Sequence, residues 1–377
     1  MIRVVVRSDV DFAQLGQRWR DLEARSACSF FLSWTWIGCL IDERFPNPLL
    51  VEAIEDGRTV ALALFNRTWR WGMPVLWLHE SGSPALDCPW IEQNGVLAEA
   101  GREAELTRLC LGAVLGRARV TLSGIDATTQ AAVQALAGIV RVVRAQESPF
   151  ADLSGLRAAG ASYFTSRSAN TRQQLARSVR WYAAEAGGGQ SEPAVEEAAT
   201  VEAACGMLDL LAELHTARWV GRGGAGSFAQ PFFRRFHRTL IERGMGRGEI
   251  ALQRISFSGI IVGYLYNFRL QNKMLAYQSG LYYREDASMA RPGLVAHATA
   301  IQQAMAHNID IYDFLAGDDR YKRSLSDSEH RIWWLEAGPV WSLSMRLRQW
   351  GGALKTAWRR GAKCRNSLQV PLKFHKG

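Results

Sequence analysis

No two of the six cysteines in this 377-residue sequence stand at C-x-x-C spacing, and none has a histidine at ligand spacing. That pattern argues against a metal site or a disulfide framework and reads as free, buried thiols, Cys88 in its proline-rich loop being the least committed to a core. No window approaches the roughly 18 uninterrupted apolar residues of a membrane-spanning helix. The opening "MIRVVVRSDVDF" has only a short apolar run broken by Arg7, Asp9 and Asp11, so no secretory leader is expected and the chain reads as cytoplasmic. Acidic residues are missing from Ala337 to the end, where nine Lys and Arg stand. Setting that tail aside leaves 36 basic against 36 acidic residues, so the net charge of +9 points to one local anionic partner and no DNA is expected.

What is present is globular: 48% hydrophobic and 21% charged residues, enough chain for two cores. The first half reads as a strand "IRVVVR", a helix "VDFAQLGQRWRDLEARS", a further helix over "FFLSWTWIGCLIDERF", then β-rich segments turning at Glu55-Asp56-Gly57-Arg58. Alternating helix and strand patterns follow, to a boundary near Ser148-Pro149. The second half repeats the plan. Helices over "SANTRQQLARSVRWYAAEA", "VEAACGMLDLLAELHTARWV" and "PFFRRFHRTLIERG" precede a meander that turns at Ser258-Gly259 and Gln271-Asn272-Lys273. Pro231 is placed to open the third helix. The fold expected is α+β, with mixed, largely antiparallel sheets flanked by helices and a weak internal duplication in the order of elements.

The stretch from Arg284 to Leu325 concentrates the chemistry. Pro292 at a helix start lacks an N–H that would be orphaned anyway, and Gly293 lets a ligand approach the backbone. Free N–H groups at Gly293, Leu294 and Val295, with the helix dipole, suit a phosphate or diphosphate, and Ser288 and Arg291 stand just upstream as donors. Many helices start this way for no functional reason, so the motif alone decides little.

The segments "LHTARWVGRGGAGSF" (214–228), "FHRTL" (236–240), "YQSGL" before the Pro-Gly helix and "YDFLAGDDRYKRSL" (312–325) together resemble the GNAT N-acyltransferase superfamily. "FLSWTWIGCL" and "IEQNGVL" in the first half fit the same branch, that of CelD-like cellulose-biosynthesis proteins and Fem peptidoglycan transferases. The superfamily's usual signature has two glycines, whereas "RPGLV" here has one. The resemblance implies two tandem GNAT-like domains: 1–150, without cofactor; 151–338, holding acetyl-CoA or another acyl-CoA; and a tail over 339–377. It further implies direct attack of an amine on the thioester, with backbone near Gln278 and Ser279 receiving the carbonyl oxygen. His215, Asp313 and Asp318 are the candidate bases. Arg218 and Trp219 suit an acidic or sugar-bearing acceptor, and Tyr321-Lys322 resembles the aromatic-Lys pair that closes a Fem-type site. Each of these residues also has an ordinary structural reading, as a satisfied helix histidine, a salt-bridged arginine or a solvated lysine.

In the tail, Leu343, Leu347, Trp350, Leu354 and Trp358 fall on one helical face among basic residues. That pattern suits an anionic membrane surface, or docking on the body, and places the chain peripherally at the inner face of the cytoplasmic membrane. The reaction expected is acetyl transfer to an amino sugar, free or lipid-linked, in envelope or exopolysaccharide synthesis. Two alternatives stand beside it: a Fem-like transferase using aminoacyl-tRNA, and a catalytically idle GNAT pair acting as a scaffold or sensor.

Overall fold

The structure, a computed structural model, describes residues 1–340 apart from 71, 189–191, 285–286 and 318. Helices of six residues or more are numbered. The first half runs β1 (Ile2–Arg7), α1 (Phe12–Glu23), β2 (Pro48–Glu55), β3 (Arg58–Arg70), β4 (Met73–Leu78), β5 (Leu97–Ala98), α2 (Glu103–Leu115), β6 (Arg119–Ile125), α3 (Ala127–Leu136) and β7 (Ile139–Asp152). The second runs α4 (Ala169–Glu185), β8 (Pro193–Glu197), α5 (Val201–Val220), α6 (Pro231–Gly244), β9 (Ile250–Phe257), β10 (Ile260–Leu270), β11 (Lys273–Leu281), α7 (Pro292–Ala306), β12 (Ile311–Asp313), α8 (Arg320–Leu325) and β13 (Ser328–Gly338).

Twelve strands form one continuous path, β1-β2-β3-β4-β6-β13-β7-β12-β11-β10-β9-β8, with β5 attached to β3. The path is symmetric about its middle, and the halves exchange their last strands. β13 enters between β6 and β7, while β7 lies between β12 and β13. The β7–β13 pairing runs from Ile139↔Gly338 to Phe150↔Ser328. Ser148 and Pro149, expected at a boundary, therefore lie inside a central strand. Each half has one parallel pair, β4 with β6 and β11 with β12, bridged by a helical crossover through α2 or α7.

Local sequence explains the elements that carry the site. Thr200 caps α5, its hydroxyl accepting from the Ala203 amide. α6 begins at Pro231 and buries Phe232, Phe233, Phe236, Leu240 and Ile241 on one face. β10 is buried continuously from Val262 to Phe268, because α5 covers one face of the sheet and α7 the other.

The aromatic run "FFLSWTWIGCLIDERF" is not one helix. It breaks into single turns at Phe30–Leu32, Trp34–Ile37 and Ile41–Arg44, with Leu40 left-handed between the last two. Tertiary packing overrides helical propensity here. Phe30 stacks on Phe268 at 4.3 Å and Trp36 meets Phe236 at 5.0 Å, so rings of the first half complete the core of the second. The short strand β8, which the sequence reading passed over, ends the strand path on one side as β1 ends it on the other. Cys28, Cys39 and Cys110 are buried free thiols, while Cys88 and Cys205 are half-buried.

Candidate active site

β12 keeps company with β11 only from Lys273↔Ile311 to Leu275↔Asp313, yet β11 runs on to Leu281. Beyond Leu275 the two parallel strands part. A register shift opposite Tyr266 and Asn267 makes Tyr277 a bulge at the point of parting. Two side chains hold the departing chain away. The Lys322 ammonium donates to the carbonyls of Phe314 (2.8 Å), Ala316 (3.1 Å) and Leu315 (3.4 Å). From the other half, Glu92 accepts the Ala316 amide at 2.7 Å. Burial lowers the Lys322 pKa and raises that of Glu92 to about 7.

The gap opens into a cavity of ≈360 Å³ lined by His215, Arg218, Trp219 and Arg222 of α5 and its end, Tyr277 to Ser279 of β11, His297 of α7, and Arg320 to Lys322 of α8. A second recess of ≈320 Å³ lies at the start of α7, lined by Gln174, Ser288, Arg291, Pro292, Gly293 and Leu294. Both are lined by Tyr283, Arg320 and Tyr321, so the helix start and the strand gap belong to one cleft. A roomier groove of ≈640 Å³ against α4 and α7 is lined chiefly by Phe164, Leu175, Val179 and Val195, with neither a histidine nor a parted strand.

His215 reaches the cavity because of two glycines. A Cβ on Gly280 would stand 2.5 Å from the Leu211 carbonyl oxygen, so glycine lets α5 lie directly on β11, and His215 follows one turn later. Gly226 has a left-handed φ of 71°, and a Cβ there would meet the His215 ring at 3.0 Å. His215 is 8% exposed, packs edge-on against Phe228, and its Nδ1 has no hydrogen-bond partner among the described residues. Burial depresses its pKa to about 4, so the ring is a neutral base at pH 7.

A second histidine on this cavity escaped the sequence reading. His297 is 2% exposed on α7, with Nδ1 2.9 Å from the Tyr312 hydroxyl and Nε2 without a partner among the described residues. Burial, then the nearby Lys322 charge, lowers its pKa to about 3. Tyr321 stacks on it at 5.1 Å. The signal was a lone imidazole inside the apolar helix "PGLVAHATA". Glu92, within the quoted "IEQNGVL", also went unassigned.

Other expected residues are placed differently. Asp313 does not face this cavity. Its carboxylate accepts from Gln93 Nε2 (2.7 Å), the Leu315 amide (2.7 Å) and Ser148 Oγ (3.1 Å), and it lines a separate ≈430 Å³ cavity with His330 and Lys273. Side chains alternate along a strand, and Asp313 points to the opposite side from the cleft's α7 wall. Lys322 borders the cavity, but its ammonium is turned to the carbonyls of Phe314, Leu315 and Ala316. The Leu294 and Val295 amides both donate to the Arg291 carbonyl, at 3.0 and 3.2 Å, so of the three expected donors only Gly293 N–H is left for a ligand. Ser288 and Arg291 do line the recess, Arg291 as a left-handed cap whose guanidinium bonds Gln174. Arg218 lies over the Tyr283 ring at 4.1 Å, and Trp219 is 43% exposed at the mouth. Gln278 and Ser279 border the gap as expected. Asp318 lies outside the described residues, as does the tail's apolar stripe from Leu343 to Trp358.

The first half has the equivalent gap, and it is plugged. β4 and β6 part after Trp77↔Thr121, and Asn94 fills the space, its Nδ2 donating to the Leu78 and Ser123 carbonyls at 3.1 Å each. Its Oδ1 meets His79 Nδ1 at 2.8 Å.

Residues 169–323 match the family described as acetyltransferase (GNAT) domain. That GNAT match runs from α4 into α8 and so contains the parted strands and both histidines. Among solved structures the chain is similar to FemX, at TM-score 0.57 and 9% identity, over 88% of this chain and 96% of that one. It is also similar to the C-terminal domain (DUF2156) of a putative lysylphosphatidylglycerol synthetase from Agrobacterium fabrum, at TM-score 0.51 and 11% identity, covering 91% and 96%. A conserved protein of unknown function from Bacteroides thetaiotaomicron gives 0.51 and 12%, covering 89% and 99%. None of the curated proteins matches it in sequence. The fold is of mixed α and β structure in two halves built on one plan, the second containing the region that matches the acetyltransferase domain. Among the described residues no helix is long and apolar enough to cross a membrane.

Proposed function

We propose that the chain is an N-acyltransferase that takes its acyl group from acyl-CoA and delivers it to a primary amine on a sugar-bearing acceptor. The observation that carries this reading is the cleft itself, which runs from the start of α7 to parted strands flanked by two neutral imidazoles. The GNAT match over the same residues supports it. Gly293 offers its amide, and an added Cβ there would meet Leu281 Cδ1 at 3.4 Å and the Tyr283 hydroxyl at 4.0 Å, ordinary contacts, so the fold itself does not demand glycine. Ser288 and Arg320 border the same recess and complete the surface offered to a diphosphate.

The chain's own groups divide the chemistry. β11 beyond Leu275 offers backbone toward the donor carbonyl, where charge gathers as the amine attacks. The His215 imidazole, neutral at pH 7, takes the proton that the nitrogen sheds as its bond to carbon forms. Trp219 offers a ring face and Arg218 a charge to an amino sugar, free or lipid-linked, arriving from the open side. Thiol release from acetyl-CoA with amino-sugar acceptors, compared between the natural chain and His215→Ala, tests the reading. Calorimetry that detects no acyl-CoA binding overturns it.

A second donor has its own support. Arg218, Arg222 and Arg320 all border the cleft, and α7 has one spare amide where a diphosphate cradle ordinarily has several. That pattern suits the phosphates of an aminoacyl-tRNA end, and the fold likeness to FemX and to the lysylphosphatidylglycerol synthetase domain agrees with it. Transfer that is abolished by ribonuclease and insensitive to added acyl-CoA would select this donor.

A further inference from the structure

His297 is the group on this cleft that the scheme above leaves without a task. Its Nδ1 is held at 2.9 Å from the Tyr312 hydroxyl, and that phenol is completely buried. The Tyr312 hydroxyl can donate its hydrogen to Nδ1, and in that arrangement the imidazole hydrogen sits on Nε2. Nε2 is buried, has no partner among the described residues, and belongs to a side chain that lines the cavity. A buried donor without a partner carries an uncompensated desolvation cost, which the fold bears here beside the parted strands.

We propose that His297 Nε2–H donates to the carbonyl oxygen of the acyl donor, completing with the β11 backbone an oxyanion site. This rests on the acyl-transfer reading and adds a residue to it. The balance is simple. The amine lone pair forms the C–N bond while the carbonyl π pair moves onto oxygen, which accepts the Nε2–H hydrogen bond without taking its proton. The pair then returns, the bond from carbon to the leaving sulfur or oxygen breaks, and that atom keeps the electrons. The proton shed by nitrogen passes through His215 to the leaving atom.

The surroundings keep this imidazole neutral, as a donor of this kind requires. The groups packed on it are Tyr312, Phe314 and the stacked Tyr321, with the Lys322 charge nearby. A second positive charge beside Lys322 is disfavoured, and a neutral N–H stabilises developing negative charge without competing as an acid.

The test uses the full chain. In ¹⁵N-histidine NMR, His297 is expected as the Nε2–H tautomer, with Tyr312→Phe removing that preference. In thiol-release kinetics, His297→Leu is expected to lower kcat on the order of 10²–10³-fold while the KM for acetyl-CoA stays within about threefold, the signature of a donor used only at the transition state. His297→Gln, which can place an amide N–H near the same point, should recover at least about a tenth of kcat. An Nδ1–H tautomer, or natural kcat in a folded His297→Leu chain, overturns the inference and leaves the acyl-transfer reading standing. A natural chain that turns over neither acyl-CoA nor aminoacyl-tRNA removes that reading and this inference with it.

Discussion

Gly280 of β11 lies directly beneath Leu211 of α5, so close that a Cβ would stand 2.5 Å from the Leu211 carbonyl oxygen and 2.7 Å from its Cα. Neither contact can be relieved by a side-chain rotation, because both atoms are backbone. Gly280→Ala must push α5 off the sheet and carry His215 with it. The expected result is a loss of about 1–3 kcal/mol in stability, read by denaturant unfolding. A fall in kcat/KM larger than that of a distant variant of equal stability would follow from the displaced histidine.

His215 and the amine should leave distinct marks in a pH profile. With a pKa near 4, His215 is already unprotonated across the working range, so it sets no acid limb above pH 5. The rise of kcat/KM with pH should follow the ionisation of the acceptor amine and move when an acceptor of different basicity is used. His215→Ala should lower kcat/KM on the order of 10²–10⁴-fold. A limb near pH 6.5 that vanishes in His215→Ala would contradict this account.

Glu92 makes stability depend on pH. Its folded pKa, about 7, lies above the ordinary carboxyl value of 4.5, so the folded chain binds the extra proton between those values. Its contribution is fully present below pH 4.5 and is lost as pH rises through 7. In Glu92→Gln the amide oxygen can still accept from Ala316 and nothing titrates. The variant should therefore gain on the natural chain between pH 4.5 and 7, by at most about 3 kcal/mol, and hold a constant margin above. Parallel unfolding curves at pH 5, 6, 7 and 8 give the difference directly.

Asn94 predicts a stoichiometry. Because it ties Leu78 to Ser123 across the first half's gap, among the described residues the open gap is the second half's. Titration calorimetry should find a single acyl-donor site per chain. Asn94→Leu should cost about 2–5 kcal/mol, through carbonyls left unsatisfied in a buried place, without creating a second site.

The tail is tested by removal. A chain ending at Gly338 lacks the nine basic residues and the Leu/Trp stripe, and should lose co-sedimentation with vesicles containing anionic lipid while keeping thiol release on soluble acceptors. Equal sedimentation by both chains would remove the tail as a membrane contact.

Much of the framework was legible in the chain. The helices at 201–220 and 231–244 and the turns at Ser258-Gly259 and Gln271-Asn272 follow from apolar period and turn chemistry, which are local. So was the neighbourhood of the site, because His215, Gln278 and Pro292 sit at the ends of such elements. What sequence could not supply was facing. Asp313 and His215 both looked like bases in a cleft, but only the sheet's pleat and the direction of β12 put them in different cavities. The Leu294 and Val295 amides failed as donors for a conformational reason, since Arg291 adopts a left-handed φ of 40° and its carbonyl takes both. His297 was hidden by its own surroundings, where an imidazole among alanines reads as core until the empty space beside it is seen.

The traded strands β7 and β13 have a consequence for how the molecule is made. While the ribosome is still adding residues 153–327, the amino-terminal module has β7 in hand but lacks the strand that belongs between β7 and β6. It must wait, with two edges exposed, for the last segment of the body to emerge. Neither module is then a unit of folding by itself. Two polypeptides cut between β7 and α4 should each be insoluble alone and should reassemble when produced together, one stitching shut the other.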